Sequence, residues 1–466
     1  MSVAGSVEFD PQLLSRYDLS GPRYTSYPTA PNFRPEFDAP AYRRVALASN
    51  DDPIPRPLSI YVHVPFCRSP CFYCGCNRVV TRDRSRAARY LEHLLREIEL
   101  QAELFDRDRK VLQLHLGGGT PNYLDVDQLG RLMDKLREHF KLARGDEREF
   151  STEIDPRYAD AAYVEALAKL GFNRMSCGVQ DFDPAVQEAV NRLQSVEQTV
   201  GVIDAARRNG FKSVSVDLIY GLPKQTAAGF SRTLDTVIGV RPDRIAVYSY
   251  AHLPHLFRPQ RQIAEADLPA PVDKLGLLGL AIEKLCGAGY VYIGMDHFAL
   301  PEDELVKARE QRSLQRNFQG YSTHAECDLI GLGVSAIGHV GDAFVQNLRD
   351  VASYDTALDR GQLPVARGLE LSEDDRLRAE IIQSLMCDGV LELEEFERVH
   401  DIDFEARFSL EMKRMRELER DGLVETRDRC ISVTPRGRLL VRIVAMAFDA
   451  YLARPTETVT RFSRVI

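Results

Sequence analysis

The chain has 466 residues, a formal net charge of −9, 44% hydrophobic and 28% charged residues, and nine cysteines. That length accommodates one large domain with a smaller one, at a composition ordinary for a globular protein. The negative charge argues against a general nucleic-acid or anionic-membrane binder, and no apolar run approaches the ~18 residues that span a bilayer. The N-terminus, MSVAGSVEFDPQLL, lacks the basic start and apolar core of a secretory signal, so a cytosolic address is expected.

Residues 1–55 are rich in Pro, Tyr and Arg without sustained periodicity, and GPRYTSYPTAPNF reads as an extended arm. From Leu58 to about Leu348 short apolar segments alternate with amphipathic ones. Strands are predicted at LSIYVHV (58–64), VLQLHLG (111–117), EFSTEI (149–154), NRMSCGV (173–179), SVSVDLI (213–219) and RIAVYSY (244–250). Helices are predicted between them, at SRAARYLEHLLREIELQAELF, VDQLGRLMDKLREHF and VEQTVGVIDAARRNG, the last closing on a glycine stop. Such alternation implies βαβ units on a parallel sheet, either a barrel or a doubly wound sheet. Polar or small residues recur where the strands stop: GGGT (117–120), Glu153, Gln180, Asp217, and Ala251 with His252. In a (β/α) barrel those positions share the face that carries chemistry.

From about Pro364 the pattern turns helical, through LSEDDRLRAEIIQSLM, LELEEFERVH and DFEARFSLEMKRMRELERDG from Asp403. A short alternating stretch, LVETRDRCISVTP, and the segment RGRLLVRIVAMAFDAYL follow. Helices followed by a small hairpin resemble a winged-helix module. The abundance of Asp and Glu favours a cap over a DNA-binding role. The expected domains are an arm (1–55), a barrel (56–363) and a helical, winged-helix-like cap (364–466).

The densest chemical signal is HVPFCRSPCFYCGCN (63–77), with four cysteines in ten positions. The other five, Cys177, Cys286, Cys327, Cys387 and Cys430, are scattered singly, as buried thiols in a reducing compartment usually are. Clustered thiols in such a compartment read as metal binding or redox chemistry. Zinc takes four ligands, commonly as two separated pairs. A single C-x3-C-x2-C loop after a strand suits instead three thiolates on a [4Fe–4S] cluster with one iron open.

Cys67-x3-Cys71-x2-Cys74, with Tyr73 before the last cysteine and Gly117-Gly118-Gly119-Thr120-Pro121 after the second strand, resembles the radical S-adenosylmethionine (SAM) superfamily. More narrowly, the chain resembles the oxygen-independent coproporphyrinogen III oxidases (dehydrogenases) of haem biosynthesis. RYTSYPTA (23–30), LHLGGGTPNYL, EIDPR (153–157), GVQDFD (178–183), VNRLQ (190–194), DLIYGLPKQT (217–226), YAHLPH (250–255), LQRNFQGY (314–321) and LIGLGVSAIG (329–338) carry the match. It covers roughly three-quarters of the chain. The related haem chaperones share the cluster loop and GGGTP but lack the arm and the fourth cysteine, here Cys76.

The resemblance implies an open, partial (β/α)6 TIM-like barrel with an N-terminal arm and a mainly helical C-terminal domain. It implies a monomeric cytosolic enzyme that converts two propionates of coproporphyrinogen III to vinyls. That chemistry needs a radical, which side chains cannot supply, so no residue is assigned as an acid or base. The cofactors implied are one [4Fe–4S] cluster on Cys67, Cys71 and Cys74 and two SAM molecules, with a low-potential donor such as flavodoxin or ferredoxin. Tyr61, Gly118, Glu153 and Ile337 match positions for the cluster-bound SAM; Gly119, Thr120, Gln180, Arg192, Asp217 and Ala251 match those for the second. Cys76 is implied to be no ligand. Arg23, Tyr24 and Tyr27 on the arm, with Arg316 and Gln319, are candidates for the propionates. His63 and His115 are expected to be packed structural residues.

Overall fold

The structure, a computed structural model, describes residues 7–324, 327–452 and 464; the first six residues of the expected arm, and residues 453–463, 465 and 466 of the expected cap, lie outside these. The chain divides into two compact units, one of Phe33–Ala270 with Glu326–Leu371, the other of Met1–Asn32, Pro271–Ala325 and Ser372–Ile466.

The first unit is built on six parallel strands: β1 (Leu58–Val64), β2 (Lys110–Gly118), β3 (Glu149–Ile154), β4 (Arg174–Gln180), β5 (Ser213–Tyr220) and β6 (Arg244–Ser249). They lie side by side in chain order. On the far side of β1 the sheet continues through β7 (Asp328–Leu332), parallel to β1, and then antiparallel β8 (Ile337–Val340), β9 (Ala343–Asn347) and β10 (Val365–Glu370). Among the described residues β1 and β6 do not pair, so this is a partial barrel.

Burial explains the strand sequences. LSIYVHV is buried at six of its seven positions, the apolar run of a strand covered on both faces. From β3 the strands alternate: Phe150, Thr152 and Ile154 are buried, whereas Ser151 and Glu153 between them are half-buried. Ser176, Gly178 and Gln180 on β4 and Ser215 and Asp217 on β5 follow the same period of two. Their registers match, Glu153 opposite Ser176 and Gly178 opposite Asp217, which gathers the polar positions on one face. The other face is apolar and covered by helices. In Arg84–Ala102 the buried apolar residues are Ala87, Tyr90, Leu91, Leu94 and Ile98, one stripe at helical spacing. Capping boxes at Asp125/Gln128 and Ser195/Gln198 start two of the others.

The expected arm is not extended throughout. APAYRRVALA forms a helix, Ala39–Ala48, because Asp38 caps Ala41 N–H at 3.0 Å, proline occupies the first turn, and Tyr42, Val45 and Ala46 share a buried face.

The second unit is mainly helical, around a core that includes Leu377, Ile381, Phe396, Phe404, Phe408 and Phe448. The expected helix from Asp403 breaks into Phe404–Arg407 and Ser409–Arg420. The hairpin Val424–Arg427/Cys430–Val433 gains a third antiparallel strand, Val390–Glu392. The arm residues of this unit are tied into it: Tyr24 hydroxyl donates to Asp449 at 3.0 Å, Ala450 N–H donates to Tyr27 at 3.1 Å, and Arg442 Nε donates to the Pro22 carbonyl at 2.8 Å. No helix among the described residues is long and apolar enough to cross a membrane.

Candidate active site

At the C-terminal ends of β2–β5 lies a cavity of about 270 Å³, lined by eleven of the residues singled out in the sequence: Cys67, Cys71, Cys74, Cys76, Gly118, Gly119, Thr120, Glu153, Gln180, Arg192 and Asp217. The cysteine loop leaves β1 and is stitched down by its backbone. Phe66 and Cys67 pair with Val79 and Val80, Thr81 N–H donates to the Cys67 carbonyl at 3.0 Å, and Arg78 donates to the carbonyls of Cys71 and Cys74, both at 3.0 Å.

Each thiol has its own neighbour. Cys67 Sγ lies 3.3 Å from the Thr120 hydroxyl, Cys74 Sγ accepts from Cys76 N–H at 3.5 Å, and Cys71 Sγ faces Arg192 Nη1 at 3.6 Å and Arg157 Nη2 at 3.7 Å. Burial pushes the Cys67 thiol up to about 11. A hydrogen bond from Cys76, helped by Arg78, brings Cys74 down to about 6 against its burial.

The glycine loop is shaped by close approach. Gly118 has φ +114°, and a Cβ there would lie 2.7 Å from the ring of His63. A Cβ on Gly119 would lie 2.7 Å from the Pro65 carbonyl carbon. The loop therefore packs its backbone onto the strand that carries the cysteines. Gly118 N–H donates to Glu153 Oε2 at 3.2 Å. Asp217 accepts from the Ser176 hydroxyl at 2.8 Å; burial foremost, with Glu153 adding to it, lifts its carboxyl to about 7. Gln180 sits at φ +69°, strain of about 1–3 kcal/mol of the kind found at ligand sites. Its side chain and that of Arg192 both close over Gly178.

Three expected SAM residues lie outside this lining. Tyr61 stacks on His115 (ring centroids 5.8 Å apart, 15° between planes) and lies beside Gly117 and the cavity residue Glu153. Ile337 opens β8, its backbone packed against Gly331, the partner of Tyr61 across the sheet. Ala251 follows β6, and its carbonyl accepts from Gln260 at 3.1 Å. His63 is a packed residue between the Tyr61 hydroxyl (3.1 Å) and the Asn77 carbonyl (2.9 Å), and burial lowers its pKa.

The propionate candidates belong to the second unit. Arg23 pairs with Asp296, Tyr24 and Tyr27 are buried on the contacts given above, and Arg316 lies over the Tyr321 ring at 4.9 Å. Arg316 Nη1 and Gln319 Nε2 are buried donors without a hydrogen-bond partner among the described residues.

Sequence reasoning missed Asp155 and Arg157. Arg157 grips the Asp155 carboxylate with Nε (2.9 Å) and Nη2 (2.6 Å), and Arg192 Nη1 adds a third contact at 3.2 Å. Burial pushes Asp155 up, but Arg192 and Arg157 outweigh it and hold the carboxyl below its ordinary range. The available signal was position: in EIDPR, Asp155 leaves the end of β3 two residues after Glu153.

The donor set fits an iron–sulfur cluster. Among the described residues no three His, Cys, Asp or Glu side chains gather tightly enough to hold a single ion. A four-iron cluster meets its thiolates at separate iron corners and needs no such convergence. Soft sulfur ligands on a loop, beside two guanidiniums, suit that group.

Comparison with known proteins agrees. The family model for the Radical SAM superfamily matches residues 61–237, and that for the HemN C-terminal domain matches residues 371–440. The chain is 50% identical over 461 residues to the oxygen-independent coproporphyrinogen III oxidase of Pseudomonas aeruginosa, covering 99% of each. It is 45% identical over 466 residues to that of Escherichia coli, covering 100% of each. Its fold matches the solved coproporphyrinogen III oxidase (HemN) from Escherichia coli, a radical SAM enzyme, with a TM-score of 0.90 at 44% identity, over 96% of this chain and 100% of that one.

Proposed function

The chain belongs to the oxygen-independent coproporphyrinogen III oxidase family, and from that premise we propose that it oxidatively decarboxylates two propionates of coproporphyrinogen III to vinyls, giving protoporphyrinogen IX in haem synthesis. The observation that carries this reading is the single cavity where the cysteine loop, the glycine loop and the polar ends of β3–β5 meet. Cys67, Cys71 and Cys74 hold the [4Fe–4S] cluster; Cys76, exposed and donating its amide to Cys74, stays off it. When bound, the cluster supplies one-electron cleavage of SAM and so a carbon radical able to take hydrogen from an unactivated propionate.

The protein's own groups bind and orient. Gly118 and Glu153 face the methionyl part of a first SAM, with Tyr61 and Ile337 on its adenine side. Gly119, Thr120, Gln180, Arg192, Asp217 and Ala251 serve a second. The carboxylate of Asp217, acceptor-only once ionised, suits ribose hydroxyls or an ammonium. Arg192 spends Nη1 on Asp155 and Cys71 and one Nη2 proton on the Gly178 carbonyl, at 2.7 Å, so its buried, unpartnered Nε and the second Nη2 proton are the donors left for a ligand. Four propionates call for cations and donors, which Arg23, Arg316 and Gln319 supply, with Tyr24 and Tyr27 anchoring the arm that carries Arg23. The enzyme works as a cytosolic monomer fed by a low-potential flavodoxin or ferredoxin.

The test is anaerobic turnover of the reconstituted protein with reductant, SAM and coproporphyrinogen III, read by mass spectrometry. Protoporphyrinogen IX with 5′-deoxyadenosine and methionine is the expected product set; SAM cleavage with an unchanged tetrapyrrole overturns the reading. Arg23→Ala should cut turnover at least ~10-fold, about 1.4 kcal/mol, while iron content stays at the wild-type level.

A further inference from the structure

The three thiols of the proposed cluster site are not equivalent. Cys67 meets a hydroxyl and Cys74 a backbone amide, whereas Cys71 alone meets two guanidinium groups. Those cations are held in place. Arg157 and Arg192 share the Asp155 carboxylate, and the side chains of the three are only 10%, 7% and 7% exposed. Asp155 is in turn fixed through its backbone: its N–H donates to Asn122 Oδ1 and its carbonyl accepts from Asn122 Nδ2, both at 3.0 Å. Asn122 is 2% exposed and follows directly on Gly117–Pro121, so the loops after β2 and β3 lock each other. Arg157 Nη2 has two protons; one satisfies Asp155 Oδ2 at 2.6 Å and the other faces Cys71 Sγ at 3.7 Å. Arg192 Nη1 divides its protons in the same way.

We propose that Arg157, oriented by Asp155 and Asn122, is a positioning residue that donates an N–H···S hydrogen bond to Cys71 and thereby raises the reduction potential of the cluster. This rests on the cluster reading given above. Two guanidiniums and one carboxylate leave a net positive charge beside one sulfur. A reduced cluster carries one more negative charge than an oxidised one, so a fixed cation and a hydrogen bond to sulfur favour the reduced form. Burial strengthens the effect because little water is present to screen it. Both line the cavity, but Arg192 is also one of the residues proposed for the second SAM and binds the Gly178 carbonyl, whereas Arg157 has no proposed SAM contact, so its contribution can be isolated.

The experiment is a redox titration of reconstituted full-length protein without SAM, followed by EPR of the reduced cluster, on wild type, Arg157→Gln and Arg157→Lys. Iron and sulfide content are measured first. Wild type that takes up neither overturns the cluster reading itself. With loading intact, Arg157→Gln is expected to lower the reduced-to-oxidised ratio at a fixed potential about tenfold, a shift of ~59 mV to the negative for one electron. Arg157→Lys, which keeps the charge but not the fork, should recover part of that shift. A wild-type potential in loaded Arg157→Gln overturns the proposal. Wild-type holoenzyme labelled with ¹⁵N in its arginine guanidinium groups provides a second reading that does not depend on any variant folding. Pulsed EPR of its reduced cluster should detect a ¹⁵N coupling, and its absence also overturns the proposal.

Discussion

In the unit built on the parallel sheet, Asp155, Arg157, Arg192 and Asp217 end on one cavity, close to thiols that carry the proposed cofactor. In the other unit, Arg378, Arg442 and Asp449 are 8%, 3% and 3% exposed, yet each is used up inside its own unit. Arg378 serves Asp374, Glu411 and the Phe448 carbonyl, all within 2.9 Å; Arg442 and Asp449 hold the arm segment through Pro22 and Tyr24. Positive φ serves more than one end in both units. Around the cavity, Gly118 and Gln180 take it among the lining residues. In the helical unit, Asp401 (φ +52°) simply ends a helix in the left-handed cap conformation. Buried charge alone therefore does not mark a site. It marks one when the charges converge on space that a ligand can fill.

The contrast can be broken most severely at the thiols. Alanine at Cys67, Cys71 or Cys74 should abolish cluster assembly, read as loss of bound iron and of thiolate-to-iron absorption, whereas Cys76→Ser should still load. Next comes Gly119→Ala, whose Cβ would meet the Pro65 backbone at 2.7 Å. The displaced loop should weaken SAM binding at least ~10-fold, about 1.4 kcal/mol, measured by equilibrium dialysis on reconstituted protein.

On the other side of the comparison, Phe404→Ala removes a fully buried ring from the packed phenylalanines, 4.9 Å from the Phe408 ring. It should cost about 3–5 kcal/mol in denaturant unfolding of that unit. A pH effect belongs to the cavity. Because the folded Asp217 carboxyl titrates at about 7 rather than near 3.8, the native state holds its proton longer than the unfolded chain does. Stability of the cofactor-free protein should therefore fall as pH rises through that window, by ~1–2 kcal/mol after discounting for the partial exposure of the residue. Asp217→Asn should flatten that part of the profile; the slope left over belongs to the other carboxyls that burial lifts, foremost Glu97, to about 7, and Asp388, to about 6. The smallest effect is expected of Tyr24→Phe. Losing the hydrogen bond to Asp449 should cost about 1 kcal/mol of stability, with iron content unchanged.

Much of the sheet was legible because its signal is local. Six apolar segments punctuated by polar strand ends appear as β1–β6 within one or two residues of the predicted bounds. The cavity followed, since parallel strands in register bring their C-terminal ends together. The extension of the sheet beyond β1, parallel β7 and antiparallel β8–β10, was not legible as strands. Asp328–Leu332 and Ala343–Asn347 are buried at every position, so no alternation betrays them, and the glycines between read as turns. The third strand of the hairpin, Val390–Glu392, is three residues long and set by a pairing some forty positions away. Asp155 and Arg157 escaped for a related reason: a carboxylate shared by two arginines is visible only once the loops of β3 and β4 stand side by side.

Glu97 lies in the helix Arg84–Ala102, fully buried, where Gly333 N–H (2.7 Å), Asn347 Nδ2 (2.7 Å) and the Tyr354 hydroxyl (2.5 Å) all donate to it. The neighbouring amide, Val334, donates to the Tyr90 hydroxyl from the same helix at 2.9 Å, and that hydroxyl donates in turn to the His63 carbonyl at 2.8 Å on β1. Two consecutive main-chain protons of the β7–β8 turn are thus sealed by side chains from a helix rather than by a strand. Turn amides ordinarily trade their protons with solvent early, through local fraying. Those of Gly333 and Val334 can do so only when the helix lifts from the sheet, which makes them built-in clocks for opening of the barrel wall.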